Sequence, residues 1–228
     1  MYTPDHFALD DEAIRTLLAA PFAGELITDG PDGLAATRAP FAYDPDAGEL
    51  GTLSTHLGRV NPQWRHAGGD ALVILTGPQA YIASEWLLAD QQATPVPTWD
   101  YVTVHAWGEL VVRTEPDAVA AGLSRLTQAF GRAYHDDFRA DRMPSAALEP
   151  LLGAMVGVEV RLTRWAGKAK MSQNKPPAVV ERIADGLALR GDRDAAAWLR
   201  ETSLPRARAK RSLLDGIRLN DPAEPKAG

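Results

Sequence analysis

The chain contains no cysteine, and this absence removes several kinds of chemistry at once. Without a thiol there is no disulfide, no thiolate metal site and no cysteine nucleophile. Long apolar segments are also missing, since no run approaches the roughly 20 residues that span a membrane. The N-terminus, Met1 to His6, lacks the basic and apolar regions of a signal peptide. We therefore expect a cytoplasmic protein.

Established catalytic motifs are missing as well. There is no G-x-S-x-G, no P-loop, no H-E-x-x-H and no Rossmann glycine fingerprint. The five histidines do not fall at zinc-ligand spacings, so the sequence predicts no metal site and no specific catalytic residue.

Charge argues against a nucleic-acid-binding protein. The formal net charge is −6 and no helix-turn-helix is evident, so direct DNA binding is not expected. The basic run 206–211 is the one nucleic-acid-like feature, and a solvated helix face is its stronger interpretation.

What the sequence does contain is a series of short strand patterns joined by turn residues. Segments 24–29 and 34–41 flank a Gly-Pro-Asp-Gly turn, which is a strong hairpin signal. The strongest strand pattern covers 98–112, a break is predicted at Gly77–Pro78, and a last strand is predicted over 156–165. This succession indicates an antiparallel sheet or barrel rather than a parallel α/β fold.

Helical spacing is found at the two ends of the chain and between the later strands. A stripe of Val119, Leu123, Leu126 and Phe130 predicts a helix over 116–134, and a shorter helix is predicted over 145–155. Two more helices are predicted over 177–189 and 192–199. Residues 84–94 are predicted to be mainly loop, and the last eight or so residues are predicted to fray.

The first polar cluster covers residues 52–64. A strand pattern over 49–56 contains Thr52 and ends at His56, and Arg59 and Asn61 follow. These side chains offer several donors to an anion, and the planar guanidinium of Arg59 can bond two phosphate oxygens at once. A polar strand end followed by a helix cap explains the same residues equally well.

Two further clusters contain aromatic and basic residues. Trp99 and Tyr101 share a face at strand spacing and could stack on a flat ring, with His105 further along the strand, although a barrel core is an alternative. Lys168 and Lys170 also share a face if the segment is extended, and Ser172, Gln173 and Asn174 follow. A solvated strand end is the alternative for the lysines.

Five segments come in the order and spacing of the PaiB family, whose members are described as FMN-binding proteins and negative regulators of transcription. They are 1–7 (MYTPDHF), 56–64 (HLGRVNPQW), 77–82 (GPQAYI), 96–101 (VPTWDY, with His105) and 168–174 (KAKMSQN). The chain therefore resembles this family over roughly residues 1–190. One departure is Asp100, at a position where the family usually has asparagine.

The resemblance implies a mainly β fold with flanking helices, namely a split β-barrel that forms a homodimer with FMN at the subunit interface. We expect three regions: a barrel domain (1–175), a C-terminal helical extension packed on the barrel (176–218) and a flexible tail (219–228). The expected cofactor-binding residues are Thr52, His56, Arg59, Asn61, Trp99, Tyr101, His105, Lys168, Lys170, Ser172, Gln173 and Asn174.

Three functions are compatible with this resemblance. The first is a flavin-binding protein, with weak oxidoreductase activity as one form of it. The second is a transcriptional regulator without flavin turnover. The third is haem binding or breakdown, for which His56 and His105 are the nearest ligand candidates. Within the first, we expect Arg59 with Lys168 or Lys170 to bind the FMN phosphate, and Trp99 or Tyr101 to lie near the flavin ring.

Overall fold

The computed structural model describes residues 1–87 and 96–220, with the backbone alone for 215–220. The predicted loop 84–94 lies outside the described residues from residue 88, and the predicted tail 219–228 from residue 221. The chain divides into two compact units. The first comprises Met1–Thr3, Ala8–Thr76 and Thr103–Gly167, and the second comprises Pro4–Phe7, Gly77–Val102 and Lys168–Gly228.

Seven strands form one sheet in the order β1-β7-β4-β3-β2-β5-β6. β6 also pairs with β7, and this pairing closes β2 to β7 into a barrel with β1 at its edge. Neighbouring strands from β5 through β2, β3 and β4 to β7 are antiparallel, as the turn pattern predicts. The strands are β1 (Ala8–Leu9), β2 (Phe22–Gly30), β3 (Gly33–Asp44), β4 (Thr52–Gly58), β5 (Asp70–Ile82), β6 (Thr98–Arg113) and β7 (Met155–Lys170).

The hairpin of β2 and β3 forms where its turn residues predict it. Gly30 pairs with Gly33 across a two-residue turn, and Gly33 adopts a φ of 95°, which glycine reaches without steric cost. The register sets Leu26 and Phe41 on the inward face, where both are completely buried. Burying each such side chain contributes about 1.5–3 kcal/mol to folding.

Strand β5 corrects the prediction of a break at Gly77–Pro78, because the strand continues through both residues. Its buried positions change from odd (71, 73 and 75) to even (80 and 82) across this pair. An extra residue in one strand, as in a β-bulge, changes in this way which positions point to the buried face. A Cβ at Gly77 would lie 3.1 Å from Val102 Cβ, so glycine permits a close approach there.

Strand β7 is longer than predicted. It continues past Trp165 to Lys170, and its alternation changes at Thr163 and Arg164, which are both exposed. The pattern beyond this point alternates again, with Ala169 buried between the half-buried Lys168 and Lys170. The prediction that the two lysines lie on the same face of the strand is therefore confirmed.

Three α-helices belong to the first unit. α1 (Asp11–Ala19) begins at Asp10, whose carboxylate accepts a hydrogen bond from the Ala13 N–H. α2 (Pro116–Tyr134) contacts β3 and β4 and buries three residues of its predicted stripe, Val119, Leu123 and Leu126, while the fourth, Phe130, is half-buried. α3 (Ser145–Gly153) packs Leu151 and Leu152 against a buried cluster of Val119, Leu123, Ala140 and Met155.

The second unit contains the C-terminal helices. α4 (Pro177–Arg190) and α5 (Arg193–Trp198) match the predicted segments closely. A π-helical turn, Leu199–Ser203, connects α5 to α6 (Leu204–Asn220). The basic side chains of 206–211 are exposed on α6, which confirms the predicted solvated helix face. In the described ranges no helix is both long and apolar enough to cross a bilayer.

Candidate functional site

The predicted cofactor-binding residues divide between the two units. Thr52, His56, Arg59, Asn61 and His105 belong to the first unit. The second unit holds the remaining residues of the prediction, which are Trp99, Tyr101, Lys168, Lys170, Ser172, Gln173 and Asn174.

In the first unit, Thr52 and Asn61 have local structural partners. The Thr52 hydroxyl donates to the Ala47 carbonyl at 2.6 Å and closes the turn before β4. The Asn61 side chain accepts a hydrogen bond from the Gln63 N–H at 3.0 Å, which caps the short 3-10 turn Pro62–His66. Its amide nitrogen donates to the Thr37 hydroxyl at 2.9 Å.

Arg59 is bonded to the end of α3. Its Nε donates to the Gly153 carbonyl at 2.9 Å, and its Nη2 donates to the Met155 carbonyl at 3.2 Å. Its backbone N–H donates to the carbonyl of Ala154 at 2.8 Å. A cation at a helix C-terminus complements the helix dipole and satisfies carbonyls that have no partner within the helix. Arg59 therefore has a structural role that the sequence did not indicate.

The two histidines of the predicted site, His56 and His105, are both half-buried. Burial lowers the pKa of His56, and its buried Nδ1 has no hydrogen-bond partner among the described residues. Burial also lowers the pKa of His105, whose ring lies 5.6 Å from that of Trp107. Both imidazoles are consequently held in the neutral form near pH 7.

In the second unit, a buried carboxylate lies at the centre of a polar cluster. Asp100 is only 1% exposed. The Ser172 hydroxyl donates to its Oδ2 at 2.6 Å, and the Lys170 ammonium lies 3.6 Å from its Oδ1. We call the set Thr98, Trp99, Asp100, Tyr101, Lys168, Lys170 and Ser172 the Asp100 cluster.

The pKa of Asp100 reflects two opposing effects. Burial raises it, while the hydrogen bond from Ser172 and the charges of Lys170 and Lys175 lower it, and burial has the larger effect. Removing the cation from such a pair would leave a buried charge uncompensated, which costs about 3–5 kcal/mol. Asp100 and Lys170 are thus mutually dependent.

Lys170 makes further bonds within the cluster. Its ammonium donates to the Thr98 hydroxyl at 2.7 Å and to the Trp99 carbonyl at 2.5 Å. Ser172 is held in the left-handed region at φ 54°, which is uncommon for a residue other than glycine. The turn after β7 is therefore fixed by contacts with the start of β6.

The aromatic side of the cluster is accessible. Trp99 is 50% exposed, and its indole N–H donates to the Gln79 side chain at 3.1 Å. The Tyr81 ring lies 6.5 Å from that of Trp99. The Lys168 ammonium lies 5.4 Å from the ring centroid of Tyr101, within the range of a cation–π contact. This surface offers flat aromatic faces beside positive charge.

Gln173 and Asn174 differ in their surroundings. The Gln173 side-chain oxygen accepts from the Met171 N–H at 2.8 Å, and its nitrogen donates to the Ala169 and His6 carbonyls at 2.5 and 3.2 Å. These bonds shape the turn after β7. Asn174 is exposed.

The sequence interpretation did not assign a site role to Asp100, Thr98, Gln79 or Tyr81. One signal was available for Asp100, because an acid at an inward position of the strongest strand pattern requires a buried partner. No sequence signal relates Gln79 to Trp99, since their contact depends on the pairing of β5 with β6.

Two relatives cover most of the chain. Protease synthase and sporulation protein PAI 2 of Bacillus subtilis is 28% identical over 77% of this chain and 83% of the relative. An uncharacterized protein of Aspergillus fumigatus is 26% identical over 76% of this chain and 88% of the relative.

Solved structures share the fold at low sequence identity. The FAD and heme binding protein of Mycobacterium smegmatis has a TM-score of 0.53 at 18% identity, over 71% of both chains. The flavocytochrome Anf3 of Azotobacter vinelandii also has a TM-score of 0.53, at 12% identity over 74% of this chain and 72% of that one. These similarities confirm the split β-barrel.

A sequence family described as "Putative FMN-binding domain" matches residues 1–164, which is well over half of the chain. This match, with the similarity to PAI 2, confirms the predicted resemblance to flavin-binding proteins of the PaiB type and the prediction of FMN as the cofactor. The chain therefore belongs to this FMN-binding domain family.

Proposed function

We propose that the Asp100 cluster binds FMN, with Trp99 or Tyr101 against the flavin ring and Lys168 near the phosphate. One observation carries this proposal: the second unit combines exposed aromatic faces and lysine ammonium groups in a single cluster. FMN is flat at one end and dianionic at the other, so the chemistry of these side chains fits both ends. Charge-assisted hydrogen bonds to a phosphate are about twice as strong as neutral ones.

The bound flavin would supply the redox chemistry. The residues of this chain would bind and orient it. Trp99, braced by its hydrogen bond to Gln79, would offer a fixed surface for stacking. Lys170, tied to Thr98 and to the Trp99 carbonyl, would hold the turn after β7 in place.

The proposed role of Arg59 in phosphate binding competes with its bonds to α3. A guanidinium that already donates to the Gly153 and Met155 carbonyls would have to share or break those bonds to contact a phosphate. The ammonium of Lys168 lies 5.4 Å from the ring centroid of Tyr101, one of the two aromatic residues proposed to lie against the flavin ring. We therefore place Lys168 first for the phosphate contact.

We also propose a homodimer. Several large apolar side chains of the second unit are exposed, among them Tyr81, Val96 and Trp99, with Val96 at 79%. Contiguous apolar surface on a protein commonly marks an interaction site. The family resemblance, in which flavin lies between subunits, supports a second copy as the partner.

The visible spectrum of the purified protein tests the proposed function. A flavin gives two broad bands, whereas haem gives an intense Soret band, so the spectrum separates the first and third functions. Titration with FMN should give saturable binding that is tighter than binding of riboflavin. A Soret band, or no binding of either flavin, would overturn the proposal.

The expected absence of direct DNA binding stays a prediction. Gel shifts at several salt concentrations test it, because phosphate contacts make binding strongly salt-dependent. A sequence-specific, salt-sensitive complex would contradict this expectation.

A further inference from the structure

We infer that Asp100 determines ligand specificity: its buried carboxylate offsets the charge of Lys170 and so weakens the preference of the site for a phosphorylated flavin. The inference rests on the proposed function, because it concerns how the same site distinguishes FMN from riboflavin.

Lys170 has limited capacity to receive an anion. Two of its bonds go to neutral oxygens, the Thr98 hydroxyl at 2.7 Å and the Trp99 carbonyl at 2.5 Å. Asp100 Oδ1 lies 3.6 Å away and compensates the charge. An ammonium has only three donors, so these neighbours occupy the directions that a phosphate oxygen would need.

Asp100 cannot turn away to make room. It is 1% exposed, and the Ser172 hydroxyl donates to its second oxygen at 2.6 Å. Ser172 itself is fixed in a left-handed conformation at φ 54°. A phosphate that approached Lys170 would therefore also approach a carboxylate that stays in position.

The electrostatic consequence differs between the two flavins. FMN brings two negative charges to the lysines, and the Asp100 charge repels them over a short distance through a poorly screened interior. Riboflavin has no phosphate and does not experience this repulsion. The effect of Asp100 should accordingly appear in the ratio of the two affinities, which a purely structural role would not change.

The test is Asp100→Asn, which keeps the shape of the side chain and its ability to accept the Ser172 hydrogen bond while removing the charge. The dissociation constant for FMN should fall by about tenfold, and that for riboflavin should change by less than about twofold. Asp185→Asn is the matched control, since it removes one aspartate charge of the same unit from an exposed pair with Arg200. The control should leave the ratio unchanged.

A second pair of variants keeps the inference testable if Asp100→Asn fails to fold. Asp100→Ser leaves space for water and should shift the ratio in the same direction. Adding Lys170→Met to whichever variant folds should abolish the gain for FMN, because the freed ammonium is its source.

The outcomes separate the two proposals. An equal shift for FMN and riboflavin, a loss of FMN affinity, or a gain that survives Lys170→Met would overturn the role of Asp100 while the flavin site stands. Failure of the wild-type protein and all variants to bind either flavin would overturn both.

Discussion

At the scale of single residues, burial shifts the pKa values of His56 and Asp100 in opposite directions. It lowers the pKa of the histidine and raises that of the carboxyl group, because in both cases it disfavours the charged form. Asp100 has a cation and a hydroxyl to compensate it, whereas the Nδ1 of His56 has no partner in the part of the chain that the structure describes. The two residues should therefore influence stability in different pH ranges.

We predict that mild acidification lowers the stability of the protein because of His56. Its native pKa lies below the ordinary value of 6.5, so the unfolded chain takes up a proton that the folded chain resists. The stabilising contribution is present above pH 6.5 and is lost as the pH falls towards the lowered native pKa. His105 acts in the same direction.

Urea unfolding at about pH 7.5 and about pH 5.5 measures this effect, with the slope given by proton linkage. His56→Gln should reduce the decrease in unfolding free energy between the two values. The exposed His135 provides the control, and His135→Gln should leave the decrease nearly unchanged. An identical decrease in the wild-type protein and His56→Gln would contradict the account.

At the scale of elements, the connection from β4 to α3 is the clearest case of long-range support. Arg59 follows β4 directly, and three hydrogen bonds join it to residues 153–155 at the end of α3 and the start of β7. The side-chain bonds satisfy carbonyls where one element ends and the next begins. A single basic residue thus links segments about a hundred positions apart in sequence.

Arg59→Ala should lower the free energy of unfolding by about 2 kcal/mol, since two bonds from a charged donor are lost. Arg65→Ala is the matched control, because it also removes a guanidinium from this part of the chain. The Arg65 guanidinium lies 5.4 Å from the centroid of the Trp64 ring. FMN and riboflavin binding should change together in Arg59→Ala, if at all. Unchanged stability with a selective loss of FMN would instead assign Arg59 to the phosphate.

Local sequence signals predicted the elements well, and they failed where distant strands interact. The hairpin at Gly30–Gly33 and helix 116–134 follow from turn chemistry and apolar spacing within the segment. At Gly77, by contrast, β5 passes close to Val102 in a neighbouring strand, and nothing within the segment itself indicates that contact. The site shows the same limit: the polar segments were recognised, but the partnership of Asp100 with Lys170 and Ser172 spans about 70 residues.

At the scale of the whole molecule, the proposed homodimer accounts for apolar surface that one chain leaves exposed. Trp99 belongs to the candidate flavin site and Val96 lies three residues before it in the chain, so a second copy bound there would cover both the surface and the ligand. Covering apolar area contributes roughly 25 cal/mol per Å² before the costs of association.

Size-exclusion chromatography with light scattering should therefore give the mass of a dimer at micromolar concentration. Val96→Glu should shift the equilibrium towards monomer, because it places a charge in the proposed interface. Val60→Glu is the control, since Val60 is 97% exposed in the first unit. A wild-type monomer, or equal behaviour of the two variants, would count against this interface.

The central claim is that the Asp100 cluster holds the flavin through its lysine and aromatic side chains. Parallel titrations of wild-type protein and Lys168→Ala with FMN and riboflavin test it most directly, with the exposed Lys210→Ala as a control for charge. The account predicts that Lys168→Ala weakens FMN binding by about tenfold and leaves riboflavin binding and the control nearly unchanged. Unaltered FMN binding by Lys168→Ala, or an equal loss of both flavins, would contradict it.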